Sequence, residues 1–396
     1  MECVKLGDYC DITSSKRVFA NQYVEKGVPF YRSREIIEKK EMADISEPLF
    51  ISEELYETFR KKFGVPIEGD LLLTSVGTLG IPYIVKNERF YFKDGNLTWM
   101  KNFKKELSSK YLYYWLNSKF GKESLINRAI GSSQAALTIA ILKKYKIFLP
   151  TLRNQNQIVD ILSAYDNLIE NNNKRIKILE QMAENLYKEW FTYEKIKDIS
   201  KEVRLKDIIS IIRGVSYTTE EIETEEGTNL VNLKNIQAYG GFRRDGLKLY
   251  AGKYKKEQIV SCGDLIMGVT DMTQDRRTVG YVALVPQVEG ISVISADLIR
   301  ISSPIQNVFL YAMFKYGKVS KYISQFANGA NVLHLKPQTI LGIKILLPQQ
   351  TLIDKYVNIA SEFFNKIEYL SQMNGNLTKQ RDMLLPRLMS GKLEVK

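Results

Sequence analysis

Two stretches of the chain carry apolar residues at spacings that alternate between four and three, which predicts two long helices, each with one apolar seam. The first runs from 155 to 190, contains no Gly or Pro, and would be about 54 Å long as a helix. Its seam consists of Ile158, Leu162, Tyr165, Ile169, Ile176, Leu179, Ala183, Leu186 and Trp190, with Asn172 as the polar member. The second seam consists of Tyr356, Ala360, Phe363, Ile367, Leu370, Leu377, Leu384 and Leu388, with Asn374 and Arg381 as polar members.

A helix with one apolar seam must bury that seam, and a second seam in the same chain is the obvious partner. We therefore predict that the two helices pair as a coiled coil. The alternative is that each helix packs on its own domain as an ordinary core helix, although globular helices average only about 11–12 residues. Pro386 lies in the second stretch. Because a proline in a helix interior costs about 3 kcal/mol or more, a kink or restart is expected near Leu385.

The segments that precede the long helices are rich in β-type runs. DLLLTSVG (70–77) and DLIMGVTD (264–271) are short apolar runs that end in small polar residues. VGYVALV and ISVISADLIRI are rich in β-branched residues. Helical spacing returns briefly at 108–129 and 307–327. Each segment is therefore predicted to be a mixed α+β globule with more than one short helix.

The two halves of the chain repeat one another. Leu149-Pro150 recurs as Leu347-Pro348, 198 positions later. Upstream, Gly69-Asp70-Leu71 recurs after 194 positions, and Gly80 matches Gly280 after 200 positions, so the second copy holds an insertion of about six residues (200 minus 194) between these points. A period of half the chain is too long for a solenoid repeat and indicates duplication of a whole domain with its helix.

The seam asparagines limit how the two helices can pair. Asn374 corresponds to position 176 of the first copy, so Asn172 and Asn374 are not equivalent. In a parallel pair each amide would face an apolar residue, and a buried polar group without a partner costs about 1–3 kcal/mol. In an antiparallel pair with midpoints at 174 and 372 the two amides lie opposite each other and fix the register. We therefore predict antiparallel helices that carry the domains head to tail at opposite ends of a rod. The same register pairs Ile158 with Leu388 and Trp190 with Tyr356.

The composition excludes several classes of protein. A net charge of +12 favours an acidic partner such as nucleic acid, with a plain solvated surface as the alternative. The chain has one histidine, no G-x-S-x-G elbow, no P-loop and no C-x-x-C pair, which excludes most histidine-dependent catalysis, P-loop ATPases, disulfide scaffolds and zinc ribbons. No apolar run approaches the roughly 18–20 residues of a membrane span, and the N-terminus lacks a signal sequence. We expect a cytoplasmic protein with no metal site and no catalytic residues.

Contacts with DNA are expected from Lys, Arg, Asn, Gln and small hydroxyl side chains in loops flanked by glycine. In the first half these residues are Lys16, Arg17, Arg32, Ser33, Arg34, Thr74, Ser75, Thr78, Ser132, Ser133 and Gln134. In the second half they are Lys234, Asn235, Arg243, Arg244, Thr270, Thr273, Gln274, Arg276, Arg277, Asn328 and Asn331. Each loop alone is more typical of a plain turn, but recurrence at equivalent places in both copies favours a function. A structural role is expected for the single histidine, His334.

The order of these elements resembles the specificity subunit of type I restriction-modification enzymes. That family has a variable β-rich domain, then LP-x4-Q-x2-I leading into a long helix, and then the same unit again. The similarity covers the whole chain and is most specific at 149–191 and at MLLPRLMSGKLEV (383–395). The family commonly has Glu-Gln after the LP motif, whereas this chain has Asn154-Gln155 and Leu352-Ile353. The second junction is therefore expected to make fewer polar contacts with a partner.

The resemblance implies an α+β fold in which two similar globular β-rich target-recognition domains are joined by two long antiparallel coiled-coil helices, with a pseudo-twofold internal duplication. The domains would be 1–150 and 196–348, and the helical spacers 151–195 and 349–396. Each domain would read one half of a bipartite, asymmetric site in double-stranded DNA. With half-sites one helical turn apart, the unread spacer would be about five to eight base pairs.

The resemblance also implies a subunit without chemistry of its own. Two methyltransferase subunits would dock on the helices, and motor-nuclease subunits on those. S-adenosylmethionine, ATP and Mg would be bound by the partner subunits, with no cofactor on this chain. Two alternatives stay open. A non-catalytic protein-protein scaffold of two β-rich modules predicts no salt-dependent affinity for DNA, and a nuclease with scattered carboxylates predicts metal-dependent cleavage by the isolated chain.

Overall fold

The computed structural model describes residues 2–42, 45–129, 135–222 and 224–393. The chain divides into two compact units, one formed by Met1–Asn173 with Met373–Lys396 and the other by Lys174–Gln372. Each unit contains one β-rich part and portions of both long helices. The division into four segments with bounds at 150, 195 and 348 stays a prediction.

The first unit holds three sheets and five short helices in its described residues. The strands are β1 (Glu2–Lys5), β2 (Asp11–Thr13), β3 (Tyr23–Val24), β4 (Val28–Tyr31), β5 (Leu49–Ile51), β6 (Leu71–Thr74), β7 (Pro82–Ile84), β8 (Tyr91–Phe92), β9 (Leu97–Lys101) and β10 (Lys146–Leu149). The helices are α1 (Ser33–Lys40), α2 (Glu53–Phe63), α3 (Ser109–Asn117), α4 (Lys119–Ile126) and α5 (Ile139–Lys144), and the long helix that follows is α6 (Leu152–Trp190). The sheet orders are β1-β10, β2-β9-β6-β7 and β3-β5-β4-β8.

The second unit repeats this arrangement. The helices are α7 (Tyr193–Ile196), α8 (Thr219–Ile222), α9 (Asn307–Lys315), α10 (Val319–Ser324), α11 (Pro337–Gly342) and the long α12 (Gln350–Met389). The strands are β11 (Ser200–Arg204), β12 (Ser210–Arg213), β13 (Thr228–Val231), β14 (Lys248–Tyr250), β15 (Ile259–Val260), β16 (Leu265–Gly268), β17 (Thr270–Asp271), β18 (Val282–Leu284), β19 (Ser292–Ile294), β20 (Leu298–Ser302), β21 (Leu333–His334) and β22 (Lys344–Pro348). The sheet orders are β11-β22, β12-β20-β16-β18, β14-β13-β19-β15 and β17-β21.

Strand pairing confirms the internal duplication. The antiparallel sheet β2-β9-β6-β7 has its counterpart in β12-β20-β16-β18, and β1-β10 has its counterpart in β11-β22. In the remaining large sheet of each unit, one strand pairs antiparallel with its successor and parallel with a later strand, β4 in the first unit and β13 in the second. The copies differ at the edges, because β3 pairs with β5 in the first unit whereas β15 pairs with β19 in the second.

Hydroxyl side chains start several of the short helices. The Oγ of Ser108 accepts the N–H of Tyr111 at the start of α3. Ser118 ends α3 and also begins α4, where its Oγ accepts the N–H of Gly121 at 3.1 Å. These contacts satisfy backbone donors that have no partner inside the helix, and they divide the helical stretch predicted at 108–129 into two helices.

The predicted seams are the buried faces of the long helices. Every predicted seam position of α6 is buried or half-buried. Apolar residues of α6 outside the seam are exposed: Leu168 (51%), Ile178 (59%) and Met182 (44%). Helix α12 is continuous through Pro386, so the expected restart near Leu385 is absent.

Both modes of helix packing considered for the long helices occur. In the first unit, Ile158 and Leu162 of α6 join Leu388 of α12 in one core cluster with the β-rich part. In the second unit, Tyr356 of α12 is buried in a core cluster against which Trp190 of α6 packs. Each long helix therefore pairs with the other and also contributes its first turns to the core of the domain that precedes it.

A row of polar contacts fixes the register of the helices within the first unit. The amide nitrogen of Asn172 donates to Oδ1 of Asn374 at 2.9 Å, and the amide of Asn374 donates to Asn173 at 2.8 Å. The polar seam member Arg381 donates to Asp166 at 2.7 Å. Rising numbers on α6 thus face falling numbers on α12, so the paired segments are antiparallel as predicted.

The glutamine that follows the LP motif makes its hydrogen bonds inside the first unit. Gln155 is fully buried, and its Oε1 accepts the N–H of Ser108 at 2.9 Å. Its amide nitrogen donates to the carbonyls of Glu106 and Pro150. The equivalent Ile353 is also fully buried. At this position the side chain faces the interior in both copies, whereas Asn154 is exposed and its counterpart Leu352 is half-buried. The expected difference in polar contacts with a partner stays a prediction.

Asn374→Leu is expected to lower the free energy of unfolding by about 1–3 kcal/mol, because it leaves the buried amide of Asn172 without its acceptor. The double variant Asn172→Leu/Asn374→Leu removes both amides and should recover most of this loss. Asn185→Leu, on the exposed face of α6, serves as the control and should change stability by less than about 0.5 kcal/mol. Urea unfolding of the full chain measures all three, and additive losses in the double variant would contradict the pairing.

A half-buried lysine lies between α1 and α3 in the first unit. The Lys40 ammonium donates to Oδ1 of Asn117. Burial, together with the positive charges of Lys122 and Arg381, lowers the pKa of Lys40 from 10.5 to about 8, against the opposing effect of nearby carboxylates. Because the unfolded chain then binds more protons between pH 8 and 10.5, stability rises with pH across this window.

Lys40→Met removes this titration. We expect the variant to be more stable than the wild type at pH 7 and to show a smaller rise in the free energy of unfolding between pH 8 and 10.5. Urea unfolding at a series of pH values measures both effects. Lys26→Met, at an exposed lysine of the same unit, should leave the rise unchanged, and an unaltered rise in Lys40→Met would refute the assignment.

Candidate nucleic-acid interface

In the first domain, candidate segments that are distant in sequence meet at the turn between β8 and β9. Arg17 contacts the carboxylate of Asp94 at 3.0 Å. The carbonyl of Asn96 accepts both the hydroxyl of Ser33, at 3.3 Å, and the backbone N–H of Ser75, at 2.8 Å. The turn therefore brings the segments 15–17, 32–34 and 74–78 to one place.

The equivalent turn of the second domain lies between β19 and β20. The carbonyl of Asp297 accepts the N–H of Val269 at 2.8 Å, as Asn96 accepts that of Ser75. The hydroxyl of Thr270 also donates to the Asp297 carboxylate at 3.0 Å. The same strand end is thus fastened to the same turn in both copies.

Hydrogen bonds connect the other candidate segments of the second domain to this strand end. The amide of Gln274 donates to the carbonyl of Ala330 at 2.9 Å. The N–H of Tyr239 donates to the carbonyl of Arg277 at 2.8 Å. The structure therefore brings the segments 234–244, 270–277 and 328–331 together.

The six-residue insertion is located in the loop after this strand. The N–H of Gly80 bonds to the carbonyl of Thr74 in the first copy, and that of Gly280 bonds to the carbonyl of Gly268 in the second. The two glycines have φ of 73° and 79°, a conformation that glycine adopts without strain. The loop that this hydrogen bond closes thus spans six positions (74 to 80) in the first copy and twelve (268 to 280) in the second.

The cationic candidate residues of the first domain differ in how far their side chains are exposed to a ligand. Lys16, Arg17 and Arg34 are exposed. Arg32 is half-buried and donates to the buried carboxylate of Glu35 through both its backbone and its guanidinium. Burial raises the pKa of Glu35, but the hydrogen bonds from Arg32 outweigh it and hold the pKa below its usual value. Arg32 is therefore committed to an internal ion pair, and its removal would leave a buried carboxylate without its partner.

In the second domain, Lys234 and Arg243 are exposed. Arg244 contacts Glu368 of α12 at 2.6 Å and the carbonyl of Gln287 at 2.9 Å, so it ties the β-rich part to the long helix. This contact lies within the second unit and gives Arg244 a structural role.

Arg276 and Arg277 lie on the extended loop. Arg276 has a φ of 51°, in the left-handed region, where the backbone of a residue other than glycine is strained. Its Nε is buried and has no hydrogen-bond partner among the described residues. Arg277 pairs with Asp275 on the same loop. Strained residues often cluster at functional sites, which makes this loop a candidate.

Four of the proposed DNA-contacting side chains are buried and have internal roles. Thr74 accepts the N–H of Ile81, Ser75 bonds to the hydroxyl of Thr98, and Thr270 bonds to Asp297. Asn235 accepts the N–H of Asn232 and donates to the carbonyl of Arg243. Their proposed contacts with DNA are corrected on this ground, because their side chains are at most 7% exposed and their polar atoms have partners inside the protein. The buried residues are Thr74, Ser75, Asn235 and Thr270.

The remaining hydroxyl and amide candidates are placed as follows. Thr78, Thr273, Asn328 and Asn331 are exposed. Ser132, Ser133 and Gln134 lie outside the described residues. His334 is exposed and pairs through its backbone with Asn328, and the structural role of its side chain stays a prediction.

Asp271 and Met272, at the start of the extended loop, lie within the predicted segment 270–277 but were not among its individually predicted DNA contacts. Asp271 is buried, and four donors contact its carboxylate. Met272 is 71% exposed. The Asp-x-Thr pattern at 271–273 was the available signal, since aspartate side chains commonly accept the N–H two residues later.

The part of the chain that the structure describes was predicted to hold no metal site and no membrane span. No group of three or more His, Cys, Asp and Glu side chains there could hold a metal ion. Nor is any described helix long and apolar enough to cross a membrane.

Comparison with known proteins gives consistent matches. Residues 1–181 match the family model for the type I restriction modification DNA specificity domain. The chain is 27% identical over 360 residues to the type I restriction enzyme MjaIX specificity subunit of Methanocaldococcus jannaschii, covering 83% of this chain and 78% of the relative. It is 21% identical over 327 residues to the HindI specificity subunit of Haemophilus influenzae, covering 65% and 71%.

A crystal structure of the S subunit of a type I restriction-modification system from M. genitalium has a similar fold. The TM-score is 0.60 at 16% identity, over 98% of this chain and 95% of the other. Residues 1–181 therefore carry the similarity to the type I restriction modification DNA specificity domain, the second half repeats the sheets of this matched half, and the chain is similar to type I restriction enzyme specificity subunits over most of its length.

Proposed function

We propose that this chain reads a bipartite, asymmetric site in double-stranded DNA, with one half-site for each β-rich domain. One observation carries the proposal. In both copies, polar and cationic segments that are far apart in sequence converge on the turn that follows the parallel strand of the third sheet, at Asn96 and at Asp297. Loops are where binding residues concentrate on a rigid scaffold, and a duplicated scaffold supplies two such sites.

Charge supports DNA as the ligand. The net charge is +12, and Lys16, Arg34, Lys234 and Arg243 are exposed in or near the converging segments. Lysine and arginine neutralise phosphates and release counterions, whereas bases are read by side chains that reach into a groove. Because the two copies carry different side chains on equivalent loops, the two half-sites are expected to differ in sequence.

The long helices offer surfaces for protein partners. Outside the seam, α6 exposes Leu168, Ile178 and Met182, and α12 exposes Ile359, Tyr369 and Met383. Adjacent exposed apolar side chains are a feature of protein interaction sites, and Ile178 and Met182 lie one helical turn apart. We propose that methyltransferase subunits dock on these helices and that motor-nuclease subunits bind to the methyltransferase subunits. S-adenosylmethionine, ATP and Mg would be bound by these partners.

Arg34→Ala and Arg243→Ala each remove one exposed cation, the first from the first domain and the second from the second domain. We expect each variant to weaken binding to DNA that carries only its own half-site, and to reduce the magnitude of the slope of log affinity against log salt by up to about 0.9. Fluorescence anisotropy of the full chain with its methyltransferase partner measures both quantities, after methylome mapping has supplied the motif.

Arg60→Ala is the matched control for these arginines. Arg60 is an exposed arginine of α2 that pairs with Glu57, as Arg34 pairs with Glu38 on α1, and it belongs to none of the converging segments. It should leave both half-site affinities unchanged. If either test variant loses affinity equally for the two half-site probes, the assignment of one half-site to each domain is wrong. An affinity of the wild type that does not change with salt would favour a protein scaffold.

The purified chain alone should neither cleave nor methylate DNA in the presence of Mg, ATP and S-adenosylmethionine. The sequence contains no P-loop, no C-x-x-C pair and only one histidine. Incorporation of labelled methyl groups and gel analysis of a plasmid substrate measure the two activities. Adding the methyltransferase partner should restore methylation, whereas turnover by the chain alone would contradict the proposal.

A further inference from the structure

The extended loop at 271–278 distinguishes the second domain from the first. The bridge between Thr270 and His334 has its counterpart between Val76 and Ala136. By this equivalence, Asp271 stands where the first copy has Gly77, and the additional residues follow it. The second domain therefore has a loop for which the first copy has no counterpart.

The carboxylate of Asp271 organises this loop. It is 3% exposed. Its Oδ1 accepts the N–H and the hydroxyl of Thr273, at 2.8 and 2.9 Å. Its Oδ2 accepts the N–H groups of Thr278 and Val279, at 2.7 and 3.4 Å. Both ends of the loop are thus tied to one carboxylate, and burial of the charge is offset by four donors.

Two further contacts hold the middle of the loop. Gln274 donates to Ala330, and Tyr239 donates to the carbonyl of Arg277. Met272, next to Asp271, is 71% exposed. Arg276 lies between the two held residues and is half-buried, and its buried Nε has no partner among the described residues. A loop held at both ends and in the middle does not have to be ordered when it binds, which favours affinity and specificity.

We propose that residues 272–277 read the second half-site as a preformed element, with Asp271 as the positioning residue and Met272 in contact with a thymine methyl group. The proposal rests on the DNA-reading function proposed above. Apolar side chains recognise thymine through its methyl group in the major groove, and arginine recognises guanine there. Met272 and Arg276 present both kinds of side chain on one short loop, so the second half-site is expected to contain thymine near guanine.

Asp271→Asn tests the positioning role. An amide offers one acceptor oxygen in place of two and turns its NH₂ group towards backbone donors. We expect discrimination between the cognate second half-site and one with a single changed base pair to fall by about tenfold, while discrimination at the first half-site is unchanged. Glu257→Gln, at an exposed carboxylate that pairs with Lys255, makes the same charge change. It should match Asp271→Asn in non-specific affinity and keep full discrimination.

Met272→Ala is an independent test that does not depend on the stability of the loop, because an exposed side chain is removed. Replacing thymine by deoxyuridine removes only the methyl group. Replacement at one thymine of the second half-site should lower the affinity of the wild type for DNA. The same replacement should leave the affinity of Met272→Ala unchanged. Anisotropy of the full chain with its methyltransferase partner measures this cycle.

The outcomes separate the two proposals. If the wild type shows no sequence preference at either half-site, the proposed function fails. If the wild type discriminates and both Asp271→Asn and Met272→Ala discriminate equally well, the loop does not read the half-site, although the function stands. If Asp271→Asn unfolds at a lower temperature and cannot be assayed, the thymine cycle with Met272→Ala decides.

Discussion

The hydrogen bond between Asn172 and Asn374 determines which residues of the two long helices face each other in the first unit. An apolar seam alone tolerates several registers, since one leucine packs against another almost as well as against an isoleucine. A buried amide does not, because only one register gives it a partner. The ion pair of Arg381 with Asp166 and the burial of Leu388 beside Ile158 follow from the same alignment.

Each β-rich part is organised around one turn rather than around one strand. Asn96 and Asp297 accept backbone donors from the same strand end in the two copies, and other segments gather beside them. Such a design separates two requirements. The sheets and the turn preserve the scaffold, while the loops that converge there can differ in length and side chains, as the loops ending at Gly80 and Gly280 do.

The helix seams and their polar pair could be predicted because they follow from spacing, offset and the cost of an unpaired amide. The burial of Asn235 could not, since it depends on a carbonyl of Arg243 eight residues away that only the folded turn brings close. The role of Asp271 requires Thr278 to fold back onto it. Local sequence shows which residues are polar, but their partners are set by tertiary contacts, so four candidate contacts proved to be internal.

The asparagine pair also has a consequence for truncated forms of the chain. In an antiparallel homodimer of the first long helix about position 174, Asn172 would face Ile176 twice. Two amides would then be buried without partners, at a cost of about 1–3 kcal/mol each. The inequivalent placing of the two asparagines thus favours association of one half with the other over self-association of either half. A shortened chain with a single long helix would lack the amide that satisfies its own asparagine, so its homodimer would be less stable than the pairing of the two unlike helices.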